Sequence, residues 1–549
     1  MNSVAEVEKI SKDNPNALNK SEASTTDTDA DSRYARYVLF VLLLVYTLNF
    51  LDRQLLVILA EDIKADLGVS DGQMGFLFGT AFAVFYAVFG IAFGRLADTW
   101  NRVKLISLGL SVWSLMTALS GLTRSFLPLA ACRFGVGIGE ASASPAAFSL
   151  LYDYFPPKVR TTVLAVYSLG AVIGGGLGIF LGGTILDAWH SAWPDPSLAP
   201  FGLKGWQAAF MLVGMPGLLM ALWVMTLREP PRGQNDGLVS ESHPHPFREA
   251  LAVLISMLPI TNLWFFAQSV EGRRIIPFNL AAGFTLVLLM FGLIQLTGSI
   301  EQWVAVGIAF YAVTSWAQML AIRDPVIFSM IFRCKALIFT VLGLSVTLLG
   351  AGGAGFWSIP FIQRYHGVSA SDVGTILGLG GIVVGIVGVV VGGMLADKLR
   401  TRTAKGKLYV VLGGLTVSSL AILLLYTTHQ LPVVYGASFL SGFSTSLILG
   451  PVVSTINDLV LPRARGTASA FYFMMSILMG STLAPYLVGH LSDVMAATGS
   501  DSGEALRQSV LWLLLLVIPG LAILCLAIRH IEADEASLLD RARGLGEKV

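Results

Sequence analysis

Four ionisable residues stand where charge is expensive. Asp52 and Arg53 interrupt the apolar run YTLNFLDRQLLVIL (46–59), with Asn49 just before them, and Arg133 and Glu140 interrupt CRFGVGIGEASASPAAFSLLYDYFP (132–156). At the centre of a bilayer each charge costs ~2.5–3.5 kcal/mol on insertion scales. Asp52 and Arg53 are adjacent, so on a helix their side chains diverge by about 100° and cannot share a partner. Arg133 and Glu140 are two turns apart and share a face. If that face looks at the first run, Glu140 can meet Arg53 while Asp52 turns elsewhere. A carboxylate beside a cavity that opens to each side in turn changes its proton affinity with state, which is what proton coupling requires. The guanidinium groups of Arg53 and Arg133 suit a phosphate or carboxylate, which they grip in a bidentate way. The competing reading is a buried ion-pair network that only fixes helix register. Asp52 is expected toward the outer end of its helix and partly wet.

The surrounding composition dictates where these groups sit. Of 549 residues, 54% are hydrophobic and 13% charged, against about 25% charged in soluble domains. A mean hydropathy of +0.71 is too high for the cores of three or four soluble domains. Net charge is +1, so no basic field exists to bind nucleic acid. Cys132, Cys334 and Cys525 all lie in apolar stretches and fit neither a disulfide framework nor a metal site. Seven histidines without a cluster at membrane depth argue against an embedded enzyme.

Runs of about 20 apolar residues can each cross a bilayer. They fall near 37–60, 72–94, 105–122, 128–152, 162–186 and 206–227, and again near 335–357, 374–396, 408–427, 432–456, 467–489 and 509–529. Between the series lie 250–266, 278–297 and 302–321. The loops 95–104 and 397–407 are basic, whereas 61–71 has four acids and one Lys, so the positive-inside rule puts the basic loops and both termini in the cytoplasm. Parity between the series then demands an even number of extra crossings. The pair 278–297 and 302–321 supplies it, and 250–266 becomes an interfacial helix. The expected fold is all-α and polytopic, with about 14 transmembrane helices. It divides into a disordered cytoplasmic tail (1–36, without a signal peptide), a six-helix bundle (37–227), a central linker with an interfacial helix and two inserted helices (228–332), a second six-helix bundle (333–529) and a cytoplasmic tail (530–549).

The two series repeat each other. Val69-Ser70, Gly75, Gly79, Gly94 and Leu96-Ala97-Asp98 recur 299 residues later as Val368-Ser369, Gly374, Gly378, Gly393 and Leu395-Ala396-Asp397. A weaker echo sets Pro157-Lys158-Val159-Arg160-Thr161 against Pro462-Arg463-Ala464-Arg465-Gly466-Thr467. Two like bundles related by an axis along the membrane normal enclose a site near the midplane.

The loops GRLADTWNRVK (94–104) and GMLADKLRTR (393–402) resemble the signature between the second and third helices of the major facilitator superfamily, present here in both halves. The resemblance implies two six-helix bundles and a cytoplasmic gate comprising Gly94, Asp98, Arg102, Asp397, Arg160 and Arg465. In the outward-facing state Asp98 would meet the helix start near Arg465, and Asp397 the start near Arg160, each carboxylate gaining ~0.3–1 kcal/mol from the helix dipole. The charged runs around Asp52 and Glu140 resemble the spinster family of lipid transporters over 37–227, and more loosely over 330–529. That resemblance implies transport of a lysophospholipid or sphingolipid-like amphiphile by alternating access. Asp52 and Glu140 would couple protons, and Arg53, Arg133 and Asn49 would hold the head group. It does not extend to 247–321. The alternative is a proton-coupled transporter of a small organic anion, such as a sugar acid or aromatic acid. An apolar cavity wall would favour the lipid and added polar groups the acid.

Tyr167, Ser441 and Thr445 are weaker candidates for cavity lining, since hydroxyls in membrane helices often bond back to their own backbone. The expected partners are an amphiphilic or anionic small molecule, protons and the lipid bilayer. No nucleic acid and no cofactor or metal is expected, and the chain is expected as a monomer in the inner (plasma) membrane.

Overall fold

A computed structural model describes residues 16–156, 158–232 and 244–544. Parts of the expected N-terminal tail (1–15), the linker (233–243) and the C-terminal tail (545–549) lie outside the described residues. The rest of the described chain is helices and short connections, which follows from backbone groups having no water to bond in hydrocarbon. The first half contains α1 (Asn16–Ile58), α2 (Asp71–Thr99), α3 (Arg102–Ser120), α4 (Phe126–Glu140, continued by Ala143–Tyr154), α5 (Arg160–Ala192) and α6 (Gly205–Met225). The inserted pair is α7 (Val270–Thr297) and α8 (Ile300–Arg323). The second half contains α9 (Lys335–His366), α10 (Ala370–Arg400), α11 (Gly406–Thr427), α12 (Leu431–Asp458), α13 (Arg465–Ala497) and α14 (Ser502–Ala536).

Thirteen of these are long and apolar enough to span on their own, and the bent pair Pro246–Met257 with Thr261–Ala267 makes fourteen if it is one span; α4 is in two pieces, each too short to be counted among them. Its interruption at Ala141-Ser142 has a local cause. Pro145 lacks a donor and its ring crowds the carbonyl four residues back, so the chain turns there and Ser142 Oγ donates to the Gly139 carbonyl at 2.8 Å.

The repeat in sequence is a repeat in structure. Gly68 and Gly367 both end a helix with φ near +60°, a conformation glycine adopts without strain. Ser70 and Ser369 then both cap the next helix through their side chains. Each of those helices carries a π-helical turn, Phe76–Thr80 in α2 and Gly374–Leu379 in α10, and α13 carries a third at Ile477–Leu483.

Polar contacts between the halves gather at the end opposite the 95–104 and 397–407 loops. Arg364 forks onto Glu61 (2.7 and 3.0 Å) and Asp71 (2.8 Å). Asp493 accepts from the Asp71 and Gly72 amides (2.9 and 2.7 Å), Ser492 donates to Asp71 (2.7 Å), and Asp187 accepts from the Ser371 amide (2.8 Å). Here α2 and α13 approach so closely that a Cβ on Gly79 would lie 1.8 Å from the Ser481 carbonyl oxygen. At the loop end, Gly90, Gly94, Gly393 and Gly466 have open space where a Cβ would be. The protein is thus closed at one end and open at the end of the repeated loops.

The inserted hairpin lies over the α2–α13 seam. Thr80 Oγ1 donates to Gln302 on α8 (2.6 Å) and lies 3.1 Å from the Thr482 carbonyl, while Val84, Ala309 and Leu478 pack together below. The segment expected as one interfacial helix (250–266) is two, Pro246–Met257 and Thr261–Ala267, meeting at 100°. Its first part sits on the 95–104 loop through Arg95–Glu249 (3.4 Å) and Trp100 against Phe247 (4.9 Å). The tails also depart from expectation. The first helix begins at Asn16, since extending an existing helix costs less than nucleating one. The C-terminal stretch is helical through Gly544 and Asp534 accepts from the Ala336 amide (2.6 Å), so this end of the chain caps α9 rather than trailing free.

Glycine contacts separate two kinds of failure. Gly174 of α5 rides on the Thr47 carbonyl of α1 within the first half, 2.1 Å from a built Cβ. Overpacking costs about 1–3 kcal/mol, so Gly174→Ala should lower the melting temperature. Gly79→Ala should instead hold the closed end apart, lengthening the distance between spin labels on Ser197 and Thr498. An unchanged distance in Gly79→Ala would refute the described closure.

Candidate functional site

The charged residues converge between α1, α3 and α4. Arg53 Nε donates to Glu140 Oε2 at 2.8 Å, and the two side chains are 23% and 0% exposed. Asn49, one turn earlier on α1, lies against Glu140. Asp52 points the other way and accepts from Thr117 Oγ1 of α3 at 3.1 Å. It is 3% exposed, so the expectation of a partly wet Asp52 is wrong. The reason is α3, which covers that side of α1 with Thr117.

Aromatic rings complete the first half of the site. The Arg53 guanidinium lies over Phe50 (4.7 Å), Phe82 (4.4 Å) and Tyr86 (4.8 Å). Each such contact contributes ~0.5–2 kcal/mol, more where water is excluded. The cage holds Arg53 in place on three sides and leaves one open. Arg133 is 2% exposed, 5.7 Å from the Phe82 ring, and its Nε has no hydrogen-bond partner among the described residues. No carboxylate forms an ion pair with it within 4 Å among the described residues, and Glu140 and Asp52 act on its charge only from further away, an uncommon setting for a buried guanidinium. Tyr167 is buried and stacked on Tyr46 at 4.4 Å, so it packs α5 to α1 rather than facing an open cavity.

The second half presents a cavity of about 420 Å³ between α9, α11 and α12. Ser441 and Thr445 line it, joined through Ser418 at 3.0 and 3.1 Å.

The loop residues are arranged for the open state. Asp98 and Asp397 are both exposed, and neither reaches the opposite half. Arg465 donates to the Asn457 carbonyl (3.3 Å), and Arg160 to the Phe155 and Tyr152 carbonyls (3.0 and 2.9 Å). The cross-half contacts expected of Asp98 with Arg465 and of Asp397 with Arg160 are therefore not made, because the halves are apart at this end. Arg102 departs further from expectation. It is buried and bound to Asp153 and Ser149 Oγ (2.9 Å) of the first half and to Glu229 (2.7 Å) at the start of the linker, so it anchors its loop without reaching the second half. The closed-end network of Arg364, Glu61, Asp71 and Asp493 was not expected at all. Its only sequence signal is the run of acids in 61–71.

Comparisons with known proteins bear on the fold and the family. The family model described as Major Facilitator Superfamily matches residues 42–485 and 340–538. The chain is 28% identical over 492 residues to an MFS-type efflux pump of Mycolicibacterium smegmatis, covering 89% of this chain and 92% of the relative. It is 27% identical over 478 residues to protein spinster homolog 1 of Bos taurus, covering 85% and 74%. It also matches the crystal structure of a bacterial homolog to the human lysosomal transporter Spinster in an inward-facing, unoccupied conformation. That match has a TM-score of 0.66 and 26% identity, and covers 91% of this chain and 98% of the other.

If Arg53 is what neutralises Glu140, removing it alone should be costly. Losing one partner of a buried pair costs about 3–5 kcal/mol, whereas removing both can be nearly neutral. Arg53→Gln should therefore melt well below the parent, and Arg53→Gln/Glu140→Gln should recover most of the loss. A double variant no more stable than the single would break the assigned pairing. With this fold, the repeated LAD loops and a family model that matches most of its length, the chain belongs to the major facilitator superfamily and is a spinster-like member of it.

Proposed function

We propose that the protein is a proton-coupled secondary transporter that moves an amphiphile with an anionic head, of the lysophospholipid or sphingolipid-like class, by alternating access. The observation that carries this reading is the Arg53–Glu140 pair, whose carboxylate is sealed while its guanidinium has an open side. Protonation of Glu140 removes the charge that holds Arg53 and frees the guanidinium for an anionic head. Asn49 lies beside that exchange, Arg133 supplies a second unpaired guanidinium, and Asp52 on the far face of α1 is the second proton-coupling carboxylate. The repeated loops form the gate, with Gly94, Asp98, Asp397, Arg160 and Arg465 meeting across the halves when the opposite end opens. Arg102 holds the first loop in shape. With the loops and both termini in the cytoplasm of the inner (plasma) membrane, the described state faces inward. The spinster relatives support the amphiphile, and the M. smegmatis relative supports transport in a bacterial setting.

A second reading, a small organic anion such as a sugar acid, is favoured by one observation. The cavity in the second half is lined by hydroxyls rather than by alkyl side chains alone.

Uptake of labelled lysophospholipid into proteoliposomes, with and without an imposed proton gradient, tests the proposal. Gradient-driven flux at least tenfold lower in Glu140→Gln is the expected result. Flux indifferent to both the gradient and the substitution would reduce Glu140 to a structural residue. No flux with folded protein, alongside uptake of a sugar acid, would select the second reading.

A further inference from the structure

The internal repeat, laid over the structure, gives the cavity in the second half a definite place. The register that pairs Leu96-Ala97-Asp98 with Leu395-Ala396-Asp397 sets Asp52 and Arg53 opposite Ala351 and Gly352. The register that pairs Pro157 with Pro462 sets Arg133 opposite Ser438 and Glu140 opposite Thr445. The first is supported by matching caps at Gly68/Gly367 and Ser70/Ser369, the second by helices that start at Arg160 and Arg465. Ala351, Gly352, Ser438 and Thr445 all line the 420 Å³ cavity. Where one half is filled by four charged side chains, the other has small and hydroxylated ones, and the volume they do not fill is open.

The chemistry of the wall is selective. Ser418, Ser441 and Thr445 form a linked trio, and Ser446 adds a fourth hydroxyl. Ser438 and Ser358 donate their own protons to the Val434 and Gly355 carbonyls (2.8 and 3.1 Å), so they offer lone pairs to the cavity. Among the described residues no charged side chain lines it. Gly355, Gly442 and Thr445 are exposed, so the space is reachable from outside. Leu348, Leu415, Ile422 and Leu425 make up much of the remaining wall, so the cavity suits a neutral group that donates hydrogen bonds to the hydroxyls on one side and rests its C–H surface on alkyl side chains on the other, and it gives nothing to a second charge.

We propose that this cavity is a polyol subsite, and that the transported molecule is an anion carrying a neutral, hydroxyl-rich part. Its charge goes to the first half and its hydroxyls to Ser418, Ser438, Ser441 and Thr445. This rests on the reading of Arg53 and Glu140 as the anion site, and narrows the substrate class for either an amphiphile or a small acid. A lysophospholipid with a glycerol head and a sugar acid share the required chemistry.

The test uses full-length protein in detergent and two matched pairs of probes, each differing in hydroxyls. The pairs are lysophosphatidylglycerol with lysophosphatidylpropanol, both phosphodiester monoanions, and glucuronate with hexanoate. Affinities are read from ligand-induced shifts in melting temperature for the parent, Ser418→Ala/Thr445→Val, Ser441→Ala and Arg53→Gln. The unliganded melting temperature of each variant reports its folding, and Ser441→Ala serves if the double variant is unstable. The hydroxylated member of at least one pair should bind about tenfold tighter or better, as one or two hydrogen bonds imply. The hydroxyl variants should bring that ratio near one while leaving the bare anion's affinity unchanged. No preference in either pair, or a preference that survives the hydroxyl variants, would overturn the subsite. Failure of the underlying anion reading shows separately, as Arg53→Gln leaving all four affinities unchanged. The pair that responds tells the lipid source from the free acid.

Discussion

Everything in this protein turns on Glu140 being out of reach of water. A carboxylate so placed must have a positive partner, either a guanidinium or a proton. In the described state Arg53 fills that role at 2.8 Å, and three aromatic rings hold Arg53 where it can. The proposed transport cycle is this constraint applied twice. While Glu140 is ionised Arg53 is committed to it, and when Glu140 is protonated Arg53 is available to an anion. In the proposed cycle Asn49 and Arg133 are the neighbours that keep the exchange local.

The two halves answer different demands from one repeated plan. Both use a left-handed glycine, a serine cap and a π-helical turn to start their second helix. That helix must pack tightly against the other half at one end and separate at the other. Small residues permit the closeness: α2 meets α13 backbone to backbone at Gly79 and Ser481, and Arg364 adds a buried fork across the same end. The inserted pair of helices lies over this seam, with Gln302 bonded to Thr80 where the bundles touch. It is therefore part of the closed end and not an appendage of one bundle. The repeat also breaks at the charged site, where charge in one half is matched by hydroxyls and space in the other.

Much of this was legible in the sequence, and the remainder has physical reasons for being hidden. Length and hydropathy give the spans, and the duplicated LAD loops give the two halves. Helical periodicity separates Asp52 from Arg53 and puts Arg133 and Glu140 on one face, but that this face meets Arg53 depends on how the helices pack, which the structure supplies. The cage of Phe50, Phe82 and Tyr86 could not be read, because an aromatic stripe looks the same whether it meets lipid, packing or a guanidinium. Arg364 and Asp71 are 293 residues apart, and nothing local to either signals the other. Arg102 has the spacing of a gate residue, yet its loop folds back on Asp153 and Glu229. The break in α4 follows from Pro145, which the reading of 128–152 as one apolar span passes over. Polar composition misreads the C-terminal stretch, where Asp534 caps α9.

The central claim is that Glu140 trades Arg53 for a proton when an anion binds. The direct test is to count protons in weakly buffered solution as lysophosphatidylglycerol or glucuronate is added to purified protein, for the parent and Glu140→Gln. The account predicts uptake of up to about one proton per anion bound, the limit for a single carboxylate, and none in Glu140→Gln. Anion binding without proton uptake, or uptake that persists in Glu140→Gln, would contradict it.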